Sequence, residues 1–400
     1  MKKLSPIHPF PARMASSIAW RNIPEGTRQL RVLDPMAGSG TTLVVARAKG
    51  HKAIGFDRDP LAVLIAQAWC SQVNKNAVRF AAEKVCNRAK SVWRRVPLSD
   101  AYPIGADKET KGFVRFWFDQ TNRRQLAALS KAISRLRDRR SRLILWCALS
   151  KLIVTKKIGV SLAMDVSHSR PHRSYRKAPI RPLDKFVSTV EAILKLTPFE
   201  KGVALPSIRV KEADARRLPV QANTIDLVVT SPPYLNAIDY LRGHKLSLVW
   251  MAYKVSELRE VRATNIGAEV SKSLKQENLL MDKVLRQTAD VSSMTGRVKG
   301  WLTSYIYDMD AVLSEISRVL VPKGKAVFVV GDSTVYGTYI RNSRAIARLA
   351  EIHGLKVTSK RIRPLPANRR YLPPPTLSSS GAQLQSRMRK EVVICTRKIA

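Results

Sequence analysis

The sequence predicts an α/β chain in which a doubly wound sheet is interrupted by a mainly helical, basic insertion. Three observations predict it. Two short apolar strands, each ending in aspartate and each followed by a helix, lie near the start of the chain; from 76 to 200 strand patterning gives way to helical periodicity; and strands resume after 207. The 400 residues, 45% of them hydrophobic, are enough for a large shared core.

The first strand, 29–34, ends at Asp34 and runs into Pro35-Met36-Ala37-Gly38-Ser39-Gly40-Thr41-Thr42 before a helix over 43–49. The second, 52–57, ends at Asp57, and Asp59-Pro60 opens an apolar helix reaching about 73, with aspartate as cap and proline in the first turn. Two consecutive βα units argue for a parallel sheet. Within 76–200, apolar residues recur at helical spacing in 77–95, 123–136, 142–153 and 183–196. Strand patterning returns at 207–211 and 224–230, and the prolines of Ser231-Pro232-Pro233-Tyr234 take the chain out of the sheet. A helix over 241–253 follows. The polar segment 254–300 reads as a second insertion or a loop. A helix over 301–320 stopped by Pro322-Lys323-Gly324, a strand over 325–330, a helix over 341–353 and two β-rich segments, 356–362 and 391–397, complete the chain. These boundaries divide it into 1–75, 76–200, 201–253, 254–300 and 301–400.

Charge narrows the function. Lys and Arg number 71 against 30 Asp and Glu, a formal net charge of +41, which is most easily tolerated against a polyanion. Nucleic acid is the first candidate. The surplus is densest over 121–181, where sixteen Lys and Arg meet two acids, Asp138 and Asp165. The longest apolar run, 143–154, contains Ser150 and Lys151 and reads as a core helix, so no membrane partner is expected. Pro6, His8, Pro9 and Pro11 follow Met1-Lys2-Lys3 where a signal peptide would need a continuous apolar region, so a cytoplasmic location is expected. Cys70, Cys86, Cys147 and Cys395 are too scattered for a zinc site or a disulfide framework. His168 and His172 have HxxxH spacing, but Pro171 breaks the helix that would align them, so no metal is expected. Arg170, Arg173, Arg176 and Lys177 in the same loop suit backbone phosphate or a solvated basic surface.

Gly38-Ser39-Gly40 opens a helix, where backbone N–H groups and the helix dipole can hold an anionic group; with no ligand it is simply a tight turn. It is a poor phosphate loop, because Gly40 is followed by Thr41-Thr42 and not by Lys. Asp57 stands where nucleotide-binding folds place a carboxylate for ribose hydroxyls, though a helix-capping role is also open to it.

At Thr230-Ser231-Pro232-Pro233-Tyr234 the chain resembles the catalytic motif of S-adenosylmethionine-dependent DNA methyltransferases acting on exocyclic amino groups, the cytosine-N4 branch in particular. The 34–42 segment resembles that family's cofactor loop, His8-Pro9-Phe10-Pro11 its N-terminal cofactor motif, Glu212-Ala213-Asp214-Ala215 its third strand motif, and 316–324 its later helix and turn. Segments 366–371 and 387–392 also resemble parts of bacterial members.

The resemblance implies a Rossmann-like methyltransferase sheet, S-adenosyl-L-methionine as cofactor and DNA as partner, with a cognate restriction endonuclease or other defence components as further partners. An exocyclic amine is a poor nucleophile, so oxygens that accept its hydrogens should draw the lone pair toward the methyl group. The Ser231 hydroxyl and the Pro232 carbonyl suit that work, Pro233 stiffens the loop, and Tyr234 offers a face to an extruded base. The methionine carboxylate would lie at 38–41, within a wall that includes Asp34, Pro35, Met36 and Ala37; the ribose would lie at Asp57, the adenine at Asp214 and Ala215, and His8 near the methionine end. Asp239 and Tyr240 follow closely enough to touch the target, with a simple role at a helix N-terminus equally open to them, and the resemblance makes 76–200 the candidate target-recognition region, with 254–300 competing for that role. No cysteine follows a proline, which disfavours cytosine-C5 chemistry. Adenine-N6 of DNA is the nearest alternative; an RNA amino-methyltransferase and an inactive DNA-binding protein are others.

Overall fold

The computed structural model describes residues 4–11, 13–26, 28–156, 158–168, 171–200, 202–235, 240–267, 279–292, 294–336, 338–365 and 390–399. Within them β1 (Arg31–Asp34), β2 (Lys52–Asp57), β3 (Ile208–Glu212), β4 (Ile225–Thr230), β5 (Leu320–Val330), β6 (Leu355–Pro364) and β7 (Lys390–Lys398) form one seven-stranded sheet, ordered β6-β7-β5-β4-β1-β2-β3. β1 lies parallel to β2 and β4, β2 to β3, and β4 to β5, whereas β7 is antiparallel to both β5 and β6. The sheet is therefore Rossmann-like and doubly wound but mixed. A strand returning between two neighbours needs no crossover along the sheet, and apolar patterning alone does not reveal its direction.

Side chains alternate across the sheet as period two demands. Val32, Leu227, Val229, Val327 and Val393 enter the core on one face, and Leu33, Val228, Phe328 and Ile394 enter the core on the other. The first face carries α1 (Ser16–Asn22), α2 (Thr41–Ala48) and α3 (Pro60–Cys70). It also carries the expected insertion, built from α4 (Lys75–Val92), α5 (Lys108–Trp117), α6 (Gln120–Ser134), α7 (Arg139–Ile153) and α8 (Pro182–Leu194). Four of these helices are started by a side chain accepting from the first turn: Asn74 from Ala77, Asp107 from Thr110, Asp119 from Asn122 and Asp138 from Ser141. Leu126, Ile133, Leu145, Leu149, Phe186 and Val190 of the insertion share one continuous core with Leu43 and Leu61 of the sheet helices. The insertion is thus an extension of that face.

Besides shifts of up to five residues at element ends, several features differ from expectation, the first being α5, a helix where none was expected. The helix expected over 241–253 is α9 (Tyr240–Leu248) followed by one tighter turn, Val249–Met251, which ends at Ala252 in the left-handed region, φ 73°. The 254–300 segment contributes α10 (Val255–Ala263) and α11 (Leu279–Thr288), whose Met281, Val284 and Leu285 are buried in the second core with α12 (Gly296–Val319) and α13 (Asn342–Ile352). Pro322-Lys323-Gly324 lies inside β5: Ile225 pairs with Leu320 and Leu227 with Lys325, so the intervening β5 residues bulge from the ladder, with Lys323 at φ 63°.

The winding reverses between β1 and β4. From β1 the chain steps through β2 to β3 on one side, while β4 and β5 lie on the other. A crevice outside the carboxyl ends of these two strands is where such sheets place a ligand.

Candidate active site

The two expected motifs meet at this reversal. Asp34 ends β1 and Thr230 ends β4, and the Thr230 hydroxyl donates to Asp34 Oδ1 at 2.7 Å although the residues are 196 apart in sequence. The Thr42 hydroxyl adds a bond to the Val229 carbonyl at 3.0 Å. Burial pushes the Asp34 carboxyl up to about 6, against the opposing effect of bonds from Thr230, Thr42 and the Met36 amide. Asp34, Pro35 and Ala37 are buried and Met36 is half-buried.

Gly38 and Gly40 adopt φ 48° and 87°. A Cβ on Gly40 would lie 2.8 Å from the Cβ of Ala66 in α3, so both conformation and space require glycine there. No side chain caps the N-terminus of α2, which opens at Thr41, and the neighbouring Ser39 hydroxyl is buried without a protein partner. That donor set fits the carboxylate of a ligand.

Asp57, at the end of β2, accepts from the Gly38 amide at 2.8 Å and from the Asp59 amide at 2.9 Å. Asp59 in turn accepts from the Leu61 amide and caps α3, so the capping role belongs to Asp59 while Asp57 orders the glycine turn. Burial, and next the charge of Asp59, push the Asp57 carboxyl up to about 7. Two of a carboxylate's roughly four acceptor positions remain for a ligand.

Ser231 leaves β4 and donates its hydroxyl to the Val329 carbonyl of β5 at 3.0 Å. With its proton committed, the oxygen keeps its lone pairs as acceptors. Pro232 is buried, and Pro233 and Tyr234 are half-buried at the crevice. Tyr234 also packs against the second core.

Asp214 departs from expectation. Its carboxylate accepts the Arg216 amide at 3.0 Å, Arg216 Nε at 3.0 Å, Arg216 Nη2 at 2.7 Å and Arg58 Nη1 at 3.0 Å. Burial acts upward on this carboxyl, but the bonds and charges of Arg216 and Arg58 win and hold it below its ordinary range. Its acceptor positions are filled, so a ligand amino group needs Arg58 to yield. Arg58 also bonds the Thr264 hydroxyl at 2.6 Å, and Arg216 the Asp308 carboxylate at 2.6 Å. Ala215 is buried, and the preceding Ala213 amide bonds the Asp57 carbonyl at 3.2 Å.

His8 is held in the core against α7. It is 2% exposed and its Nε2 bonds the Ser150 hydroxyl of α7 at 3.0 Å. Burial, and next the proximity of His244, hold it well below its ordinary pKa, so it is neutral. Its neighbour Phe10 covers Gly38 instead, stacking on Tyr240 with ring centroids 5.6 Å apart and lying 5.2 Å from the ring of His244. His244 pairs through Nδ1 with Asp59. Tyr240 therefore belongs to the wall of the glycine turn. Phe10, His244 and Arg58 are the residues sequence reasoning missed; only Phe10, inside the His8–Pro11 motif, left a local signal.

Arg173, Arg176 and Lys177 are exposed, and Arg173 lies 5.5 Å over the half-exposed ring of Phe116 from α5. This surface reaches the site through α9, whose Gly243 packs against the Val166 carbonyl ahead of the hairpin formed by Ala163–Met164 and His172–Arg173. Arg170, Asp239, 366–371 and 387–389 lie outside the described residues, as does the His168 side chain. No helix among the described residues is long and apolar enough to cross a membrane.

No protein-family model matches the chain. It is similar to the Type II methyltransferase M.BsoBI of Geobacillus stearothermophilus, 25% identical over 276 residues that cover 62% of this chain and 52% of the relative. It is also similar to M.AvaI of Nostoc, 24% identical over 82% of this chain and 73% of the relative, and to M.MvaI of Kocuria varians, 22% identical over 82% and 76%. The chain thus spans about half the length of the first relative and about three quarters of the other two. Among solved structures, a SAM-dependent methyltransferase from Methanosarcina mazei aligns over 94% of both chains at 8% identity and TM-score 0.33. A TehB-like SAM-dependent methyltransferase from Corynebacterium glutamicum aligns over 93% of this chain and 82% of its own, at 9% identity and TM-score 0.28.

Proposed function

We propose that the chain is an S-adenosyl-L-methionine-dependent DNA methyltransferase that methylates N4 of cytosine. The observation that carries this reading is the Thr230–Asp34 hydrogen bond, which fastens the Ser231–Tyr234 loop to the root of the glycine turn across the sheet reversal. The similarity to three Type II methyltransferases supports methyl transfer to DNA, and the Ser231–Tyr234 motif supports N4 of cytosine as its target.

The bound cofactor supplies a methyl group on a positively charged sulfur. In this reading the turn at Gly38–Thr41, with the Ser39 hydroxyl, receives the methionine carboxylate, and Asp57 accepts from the ribose. Asp214 meets the adenine edge once Arg58 moves. Ser231, its own proton held by Val329, accepts an N–H of the target amine together with the Pro232 carbonyl, orienting the nitrogen lone pair for direct in-line displacement, in which the nitrogen would take the methyl group as the sulfur–methyl bond breaks with its electrons left on sulfur, and would lose its surplus proton to solvent. Tyr234 stacks on the extruded base, and stacking of about 1–3 kcal/mol offsets much of the few kcal/mol that extrusion costs. The basic surface of the insertion holds the DNA backbone. This reading goes with a cytoplasmic location and with a cognate endonuclease or other defence components as partners.

Transfer of tritiated methyl groups from S-adenosylmethionine to unmodified plasmid DNA tests the reading. Label should enter DNA with the wild type and not with Tyr234→Ala, while both proteins bind cofactor; equal labelling by both would remove the loop from the chemistry.

A further inference from the structure

We propose that the hairpin of Ser333–Val335 and Thr338–Ile340 is a second DNA-contacting element, in which the rings of Tyr336 and Tyr339 stack on bases near the extruded one while neighbouring arginines meet phosphate. This rests on the reading above and extends it to a surface opposite the insertion.

The hairpin is fastened to the catalytic loop. The Ser333 hydroxyl donates to the carbonyl of Leu235, the residue after Tyr234, at 2.9 Å. The Asn342 amide group at the start of α13 donates to the Gly331 carbonyl and to the Ser333 hydroxyl, both at 3.0 Å. Val335 and Ile340 are fully buried and anchor both strands. The strands are therefore rigidly rooted, yet their aromatic residues face outward: Tyr336 is 60% exposed and Tyr339 49%.

Tyr336 has φ 47°, a left-handed conformation that is unfavourable for a bulky L-residue. Folding alone would favour Asn or Gly there. An aromatic side chain held at a strained, solvent-facing tip beside the reacting loop indicates a task for the ring. Arginines complete the surface. Arg297 lies 4.9 Å over Trp301, whose ring is 5.9 Å from that of Tyr336, and Arg341 lies 5.5 Å over Tyr339. The nearby carboxylate of Asp332 is engaged by the Ser343 amide and hydroxyl and by the Tyr339 hydroxyl, at 2.8, 3.1 and 3.3 Å. Exposed ring faces interleaved with guanidinium groups match the stacked bases and flanking phosphates of a nucleic acid.

The test compares full-length wild type with Tyr336→Asn, Tyr336→Phe and Tyr336→Asn/Tyr339→Ala. Binding to a fluorescein-labelled duplex carrying one mismatched, readily extruded base is read by anisotropy, and KM is measured for methylation of unmodified plasmid. Asn tolerates the tip conformation, so Tyr336→Asn should fold and bind cofactor as the wild type does, yet bind the duplex roughly 10-fold more weakly, with Tyr336→Phe restoring affinity. Wild-type affinity and KM in Tyr336→Asn, alongside active wild-type enzyme, would overturn the inference. So would a Phe variant as defective as the Asn variant. A wild type that methylates no DNA would instead overturn the parent reading, and this inference with it.

Discussion

The Ser231 hydroxyl donates its proton to the Val329 carbonyl at 3.0 Å, so two adjacent parallel strands, β4 and β5, fix the direction of the oxygen we propose to be catalytic. Removing that oxygen should leave the loop in place, because the neighbouring Thr230–Asp34 bond survives. Ser231→Ala should therefore lower the single-turnover rate by roughly 10²-fold, the scale of one preorganised electrostatic contact, with cofactor affinity unchanged. Rapid-quench methylation and calorimetry on the same preparation check both halves.

Asp57 should make cofactor binding depend on pH near neutrality. Its carboxyl is raised to about 7, and a ribose hydroxyl donates better to the ionised form, so affinity should rise with pH through that value and level off above it. Asp57→Asn should weaken binding and flatten the profile in calorimetry. For folding, the sign is opposite to that of a salt-bridged carboxylate. An unfolded Asp ionises near ~3.9, so between there and about 7 the native apoprotein holds the extra proton, and this group's contribution to stability declines as pH rises.

Arg58 and Arg216 should separate although both bind Asp214. Arg216 also reaches Asp308, and its side chain is 17% exposed, so Arg216→Ala should cost about 2 kcal/mol or more by leaving two carboxylates short of partners. Arg58→Ala should cost less, because its side chain is 35% exposed, and should tighten cofactor binding by freeing an acceptor on Asp214. Weaker cofactor binding in Arg58→Ala would identify that arginine as a ligand contact.

Much of this site was legible because it is local. The strand-turn-helix of 31–48, the Asp59-Pro60 start of α3 and the exit of the chain at Pro232-Pro233 each follow from neighbouring residues. Relationships across long separations were not legible. Nothing beside Asp214 announces that Arg58, 156 residues earlier, occupies it, and nothing beside His8 points to Ser150, 142 residues later. α5 was missed because Gly112 and the aromatic residues of 113–117 are weak helix formers, outweighed by the Asp107 cap and by packing. α11 did leave a signal, since Met281, Val284, Leu285 and Thr288 are spaced for one helical face, but polar neighbours masked it.

DNA affinity should fall steeply with salt. With the exposed Arg173, Arg176 and Lys177 among the contacts, about 6–10 phosphates neutralised imply a loss of roughly 10³–10⁵ between 50 and 200 mM salt. Reversing these three charges should reduce the slope of the logarithmic plot in anisotropy titrations. A slope unchanged by the substitutions would move the DNA elsewhere on the surface.

The most direct test of the central claim is mass spectrometry of nucleosides from unmodified DNA incubated with the protein and S-adenosylmethionine, with Ser231→Ala/Tyr234→Ala as control. The account predicts N4-methylcytosine with the wild type alone. N6-methyladenine would retain the amino-group mechanism and contradict the cytosine assignment, whereas 5-methylcytosine, or equal product from the double variant, would contradict the mechanism itself.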